Sequence, residues 1–303
     1  MSDDAIEVTQ KTVPATDGLE LAATIARPAR ASASEASGAE RGPVVVLVTS
    51  AMGVKRSYYE KYARFLAESG FVAVTFDYRG IGGSRPKTLR GFDATMQDWA
   101  EKDIAGVIDW IHAELKPRRF LVVGHSAGGQ LIGLTPNNDR IHAMITVGAQ
   151  SGYWGLWTGS RKIFMWSLWH AIMPGATRAF SYFPAKKLGL PSEDLPGGVA
   201  RQWAHWGRNP HYIVDEDGRP IRKDFVSFKA PIKSYSFSDD RDAPRAAVES
   251  LVGCYESAPK EMTHKTPKDV GVDAIGHFGF FRDRFRGSLW PEAVAWLRAH
   301  ADA

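Results

Sequence analysis

Arg119-Phe120-Leu121-Val122-Val123-Gly124-His125-Ser126-Ala127-Gly128-Gly129 is the stretch whose reading decides the fold. An apolar run rich in β-formers stops at Gly124, a G-x-S-x-G signature follows, and Gln130-Leu-Ile-Gly-Leu134 can continue as helix. Strand, sharp turn and helix in that order form a nucleophile elbow, which lifts a serine hydroxyl to the top of a sheet. Ser126 is expected in a strained backbone, with Gly124 and Gly128 keeping side chains out of its way. Such a serine requires an acid, a histidine and two backbone donors elsewhere in the chain.

Around the elbow the pattern alternates between β and α. Val44–Val48 reads as a doubly buried central strand, Tyr58–Ser69 as a helix, Phe71–Phe76 as a strand and Met96–Leu115 as a long amphipathic helix. A further strand is expected at His142–Val147. Upstream, residues 6–13 and 19–27 flank Thr16-Asp17-Gly18, a strong hairpin signal. The Ala/Ser/Gly/Glu-rich stretch 29–42 has no apolar face to bury and reads as an exposed, mobile loop. Repeated β-α-β units predict an α/β fold with a mostly parallel central sheet and helices on both faces.

The rhythm breaks near Gln150. Residues 150–228 hold six of the ten tryptophans and are divided into short pieces by prolines. The β/α pattern then resumes with strands at Ile232–Phe237 and Glu261–Thr266 and helices at Pro244–Cys254 and Leu289–His300. The expected organisation is a core over 1–149 and 229–303, interrupted by an inserted, mainly helical cap over 150–228. Trp154, Trp157, Trp203 and Trp206 are together expected to line a mainly apolar binding site, although any one tryptophan is more often core than ligand contact.

In an elbow-type fold the chain order is serine, acid, histidine. The acid falls on Ser238-Asp239-Asp240-Arg241-Asp242-Ala243-Pro244, after the first strand beyond the insertion. Asp240 is favoured because it lies four residues before Pro244, at the loop crest. Asp239 is the alternative, and Asp242 suits the start of the next helix. The base falls between the last strand and the last helix, where His277 is flanked by Gly276 and Gly279. One oxyanion donor is the amide of Ala127, and the other belongs to the loop after Val44–Val48, at Met52 or, as runner-up, Ala51.

These residues together resemble the α/β-hydrolase superfamily, and within it the branch similar to serine aminopeptidases and monoglyceride lipases. The resemblance rests on Asp17-Gly18, Ala51-Met52-Gly53-Val54, the run from Phe76 to Ser84, the elbow, the Asp-rich loop and Gly276-His277-Phe278-Gly279. It implies Ser126 as nucleophile, Asp240 as acid and His277 as base. Many members have His-Gly before the second oxyanion donor, where this chain has Ser50-Ala51. The implied activity is hydrolysis of a carboxylic ester with an apolar acyl or alcohol group. Acyl transfer, thioester hydrolysis and a non-catalytic ligand-binding role are the alternatives on the same fold.

Composition narrows the partners. The 303 residues are 44% hydrophobic and 24% charged, with a formal net charge of +4 and no clustered basic stripe, so nucleic acid is not an expected partner; the partner that the resemblance implies is a small-molecule ester or acyl substrate. Asp77–Ser84 is glycine-rich but lacks the spacing of a phosphate loop; Asp77 and Arg79 read as structural. A single cysteine, Cys254, excludes an internal disulfide and a Cys-based metal site. No metal and no cofactor is expected. No apolar run approaches the roughly 20 residues of a membrane span, and the acidic N-terminus points to a cytoplasmic protein. Assembly into a homodimer is left open.

Overall fold

The computed structural model describes residues 6–29 and 42–302. The loop expected over 29–42 therefore lies, apart from its two ends, outside the described residues. Eight strands form one sheet: β1 (Ile6–Pro14), β2 (Glu20–Pro28), β3 (Val44–Thr49), β4 (Val72–Phe76), β5 (Arg119–His125), β6 (Ala143–Val147), β9 (Ile232–Phe237) and β10 (Lys260–Lys265). A separate two-stranded ribbon pairs β7 (Tyr182–Phe183) with β8 (Leu195–Pro196). The main sheet runs in the order β1-β2-β4-β3-β5-β6-β9-β10, antiparallel at β1/β2 and β2/β4 and parallel thereafter.

The central strands are apolar on both sides because both sides are covered. Along β3, Val45 and Leu47 enter one core and Val46 and Val48 the other; along β5, Phe120 and Val122 alternate in the same way with Leu121 and Val123. The second core is closed by the helices Glu60–Glu68 and Leu289–Ala301, through Tyr62, Leu66, Trp290 and Leu297. The first is closed by the helix over 96–115 and by the stretch between β6 and β9. Trp157, Trp169 and Trp206 from that stretch share one apolar core with Val45 and Val122, so the chain between β6 and β9 is continuous with the sheet's own packing.

The helix over 96–115 begins at a reciprocal cap: Thr95 Oγ1 accepts the Asp98 amide at 3.1 Å, and Asp98 Oδ2 accepts the Thr95 amide at 2.8 Å. It ends at Lys116, whose φ of 46° turns the chain before Pro117. Buried within it, Asp103 accepts Arg79 Nε at 2.6 Å and the Arg79 amide at 2.8 Å. The same guanidinium forks onto Asp17 at 2.8 and 2.9 Å. Asp77 holds the other end of its loop, accepting the Arg56 amide at 2.7 Å and the Gly83 amide at 2.8 Å. Arg79 thus staples the 77–84 loop to the N-terminal hairpin and to the long helix. Among the described residues no helix is long and apolar enough to cross a membrane.

Because Asp103 is fully buried, removing its partner leaves an uncompensated charge. Arg79→Met is expected to cost about 3–5 kcal/mol, read as a lowered urea midpoint. Arg79→Met combined with Asp103→Leu should recover much of that loss.

Candidate active site

The carboxyl ends of β3, β5, β6 and β9 place four loops side by side, as parallel sheets do with their functional residues. At the end of β5, Ser126 has φ 49° and ψ −117°, a conformation that L side chains rarely adopt. Its amide is anchored on the Val147 carbonyl at 2.9 Å. A Cβ at Gly128 would lie 2.3 Å from the Thr49 carbonyl oxygen, and one at Gly124 would lie 2.6 Å from Gly129 Cα. Gly124 lets the elbow close on Gly129, and Gly128 lets it press against the Thr49 and Ser50 carbonyls at the end of β3.

In that loop the two candidate amides differ. Ala51 N–H donates to Tyr59 Oη at 2.8 Å, whereas the Met52 amide has no acceptor among the described residues. Ala127 opens its helix, so its amide has no intrahelical acceptor. Of the candidate donors, the amides of Met52 and Ala127 are thus the ones left without an acceptor.

The three aspartates of the 238–244 loop have three different partners. Asp240 Oδ2 lies 2.8 Å from His277 Nδ1, while its Oδ1 accepts the amides of Asp242 at 2.8 Å and Ala243 at 2.9 Å. Asp239 turns the other way and accepts the amides of Ile275 at 2.7 Å and Gly276 at 3.0 Å, pinning the segment that carries His277. Asp242 pairs with Arg161, in the stretch between β6 and β9. Burial alone would raise the Asp240 carboxyl, but the charge and hydrogen bond of His277, with the two loop amides, hold it below the ordinary aspartate value. Burial likewise opposes charge on His277, and Asp240 outweighs it and raises the imidazole. His277 lies in a short helical turn, Gly276–Gly279, rather than in an open loop. Gly148, with φ 57°, gives the pair its room: a Cβ there would sit 3.2 Å from His277 Nδ1 and 3.3 Å from Asp240 Oδ2.

Two contributors escaped the sequence reading. Tyr59, apparent only as one apolar position of its helix, places its hydroxyl between the Ala51 amide and His125 Nδ1, 2.8 Å from each. His125 Nε2 in turn donates to the His277 carbonyl at 2.9 Å. With Nε2 carrying the hydrogen, Tyr59 donates to Nδ1. Burial, reinforced by His277, pushes the His125 pKa down to about 3, so it stays a neutral strut. Gln150, at the end of β6, accepts the Ser126 hydroxyl at 3.4 Å and Gln130 Nε2 at 3.2 Å, and donates to the Asp242 carbonyl at 3.2 Å. No sequence signal marks an isolated glutamine of this kind.

The four tryptophans fare differently. Trp206 is fully buried, with its indole N–H on the Val214 carbonyl, and Trp157 is nearly so, bonded to the Arg241 carbonyl. Trp154 and Trp203 are half-buried. Trp203 donates to Tyr212 Oη at 2.9 Å, and Tyr212 donates to Gln130 Oε1 at 2.9 Å. Among the described residues no three His, Cys, Asp or Glu side chains converge to hold a metal ion.

Residues 43–175 match the family model described as the alpha/beta hydrolase fold. The protein has an α/β-hydrolase fold. Similar solved structures include the esterase Pf2001 of Pyrococcus furiosus, at 14% identity and a TM-score of 0.61, with 98% of this chain and 92% of that one covered. PA2218 of Pseudomonas aeruginosa superposes with a TM-score of 0.65 at 16% identity, covering 99% of this chain and 95% of that one. A thermophilic esterase of Thermogutta terrifontis does so at 0.59 and 18%, covering 97% and 99%. At such identities the likeness is one of fold. In sequence, PA2218 is 28% identical over 114 residues, 36% of this chain and 29% of that protein. An Escherichia coli 31.7 kDa protein of the traX-finO intergenic region is 26% identical over 107 residues, 34% of this chain and 36% of that protein. The matched stretches thus span only 29% and 36% of these relatives' length.

The α/β-hydrolase core here depends on the Tyr59 hydroxyl to join three loops. Tyr59→Phe leaves the Ala51 amide and His125 Nδ1 unpaired in the interior, at about 1–3 kcal/mol for each group. The expected result is a lower denaturation midpoint, measured by circular dichroism.

Proposed function

We propose that the protein is a serine hydrolase that cleaves carboxylic esters bearing an apolar acyl or alcohol group. The observation that carries this reading is the Asp240–His277 pair, at 2.8 Å, together with Ser126 in a strained turn next to His125, which itself holds the His277 carbonyl. In the reaction the Ser126 hydroxyl leaves Gln150, turns to His277 Nε2 and attacks the ester carbonyl as the imidazole takes its proton. Asp240 holds Nδ1–H and stabilises the imidazolium. The amides of Met52 and Ala127 receive the oxyanion. Collapse of the tetrahedral intermediate expels the alcohol, protonated by His277, and water then releases the acid from the acyl-enzyme by the same steps. Every group in this scheme belongs to the chain, so no cofactor enters it. In the same reading, residues 150–228 form a cap over Ser126, and Trp154 and Trp203 are its candidate substrate contacts.

Ser126→Ala is expected to lower kcat/KM for a short-chain p-nitrophenyl ester by at least about 10³-fold and to abolish labelling by a fluorophosphonate. Full turnover by that variant would exclude the mechanism. Product analysis with added alcohols distinguishes hydrolysis from acyl transfer.

His277 must be neutral to accept a proton, and Asp240 raises its pKa. Activity should therefore fall as pH drops, with an acid-limb midpoint above the ordinary histidine value of about 6.5. In Asp240→Asn that midpoint should move down and kcat fall by about 10⁴-fold, both read from pH–rate profiles.

A further inference from the structure

The outer face of the insertion is at once apolar and cationic. From Gly152 to Ser192 the chain has no aspartate or glutamate, but it has Arg161, Lys162, Arg178, Lys186 and Lys187. The helix over 159–180 turns Met165, Trp169 and Met173 inward, which satisfies its packing. Its other side nevertheless exposes Ile163, Phe164, Trp166 and Ile172, Ile163 at 70% and Trp166 at 45%; Leu188 and Leu190 follow in the next turn. These are six of the eight large apolar side chains exposed among the described residues. That turn adjoins the helix end, since Lys187 Nζ sits 5.2 Å from the centre of the Phe180 ring. A concentration of this kind marks an interaction surface.

The cations on this face are largely unspent. Arg161 and Lys186 pair with Asp242 and Glu193. Among the described residues no carboxylate pairs with Lys162, Arg178 or Lys187, and Lys162 rests over the Trp154 ring at 5.3 Å. We propose that this face docks on the surface of an anionic lipid bilayer. Aromatic and aliphatic side chains enter the boundary between headgroups and acyl chains, and lysine and arginine meet the anionic headgroups. Charge selects this occupant over a second copy of the chain: two such faces together would oppose Lys162, Arg178 and Lys187 to one another, with no acid from this segment to meet them.

The face is tied to the candidate site. Trp157 donates to the Arg241 carbonyl and Arg161 pairs with Asp242, so the start of the helix is fastened to the loop that carries Asp240. Docking therefore holds the site at a lipid–water boundary, where esters with an apolar part accumulate. The docking itself requires nothing of Ser126.

The test is co-sedimentation of the full chain with vesicles of phosphatidylcholine alone or with about 30% phosphatidylglycerol. The expected result is binding to the anionic vesicles, at least about tenfold weaker on neutral ones and weakened by salt. Ile163→Ser, Phe164→Ser and Trp166→Ser together should abolish it, and Lys162→Gln, Arg178→Gln and Lys187→Gln should each weaken it about fivefold. These side chains are exposed, so circular dichroism should be unchanged. Ser126→Ala should bind as the unaltered protein does, which separates failure of the hydrolase reading from failure of this one. Absence of binding to anionic vesicles, or equal binding by the apolar variant, overturns the proposal. So does a dimer that becomes monomeric in that variant without any vesicle binding.

Discussion

The backbone of Ser126 is the constraint on which the site depends. A non-glycine residue at φ 49° and ψ −117° carries a strain of about 1–3 kcal/mol, and it persists only because its surroundings leave the chain no alternative. Those surroundings are the Val147 carbonyl on its amide, the Gly128 contact with the end of β3, and the fully buried central strands behind it. Strands β3, β5 and β6 are too well packed to yield, so the strain stays in the turn and the hydroxyl stays at its crest.

Around that turn the structure assigns different work to chemically identical groups. Asp239, Asp240 and Asp242 are neighbours in one loop, yet one holds the backbone before His277, one holds the imidazole and one holds Arg161. His125 and His277 are likewise driven apart. Burial, reinforced by the charge of His277, depresses His125, while the paired carboxylate of Asp240 raises His277 in spite of its burial. The Tyr59 hydroxyl then joins the Ala51 amide to His125, and His125 to the carbonyl of His277. The arrangement is preorganised by buried hydrogen bonds rather than by charge alone.

Much of the frame was legible because its signals are local. Doubly buried strands read as continuous apolar runs, the elbow announces itself through glycine spacing, and the amphipathic run Met96–Leu115 stops just before Pro117. The fate of the tryptophans was not legible. Trp206 and Trp203 stand on one helix, three residues apart, yet the first is sealed in the core and the second is half-buried, because only the packing of that helix decides which side faces inward. Gln150 carries no signature because its partners come from two distant segments, Ser126 and Gln130 from the elbow and its helix and Asp242 from the Asp-rich loop.

The sequence by itself determined the order of strands and helices, the elbow at Ser126, and the short list of residues that could serve it. Those follow from sterics and periodicity within a few residues. Only the tertiary structure decided between Asp240 and Asp239 at His277, and between Met52 and Ala51 as the amide left without an acceptor. Adjacent residues project in different directions, and which one reaches the site is set by distant partners such as Ile275, Gly276 and Tyr59. Their positions depend on the packed sheet and on no local signal.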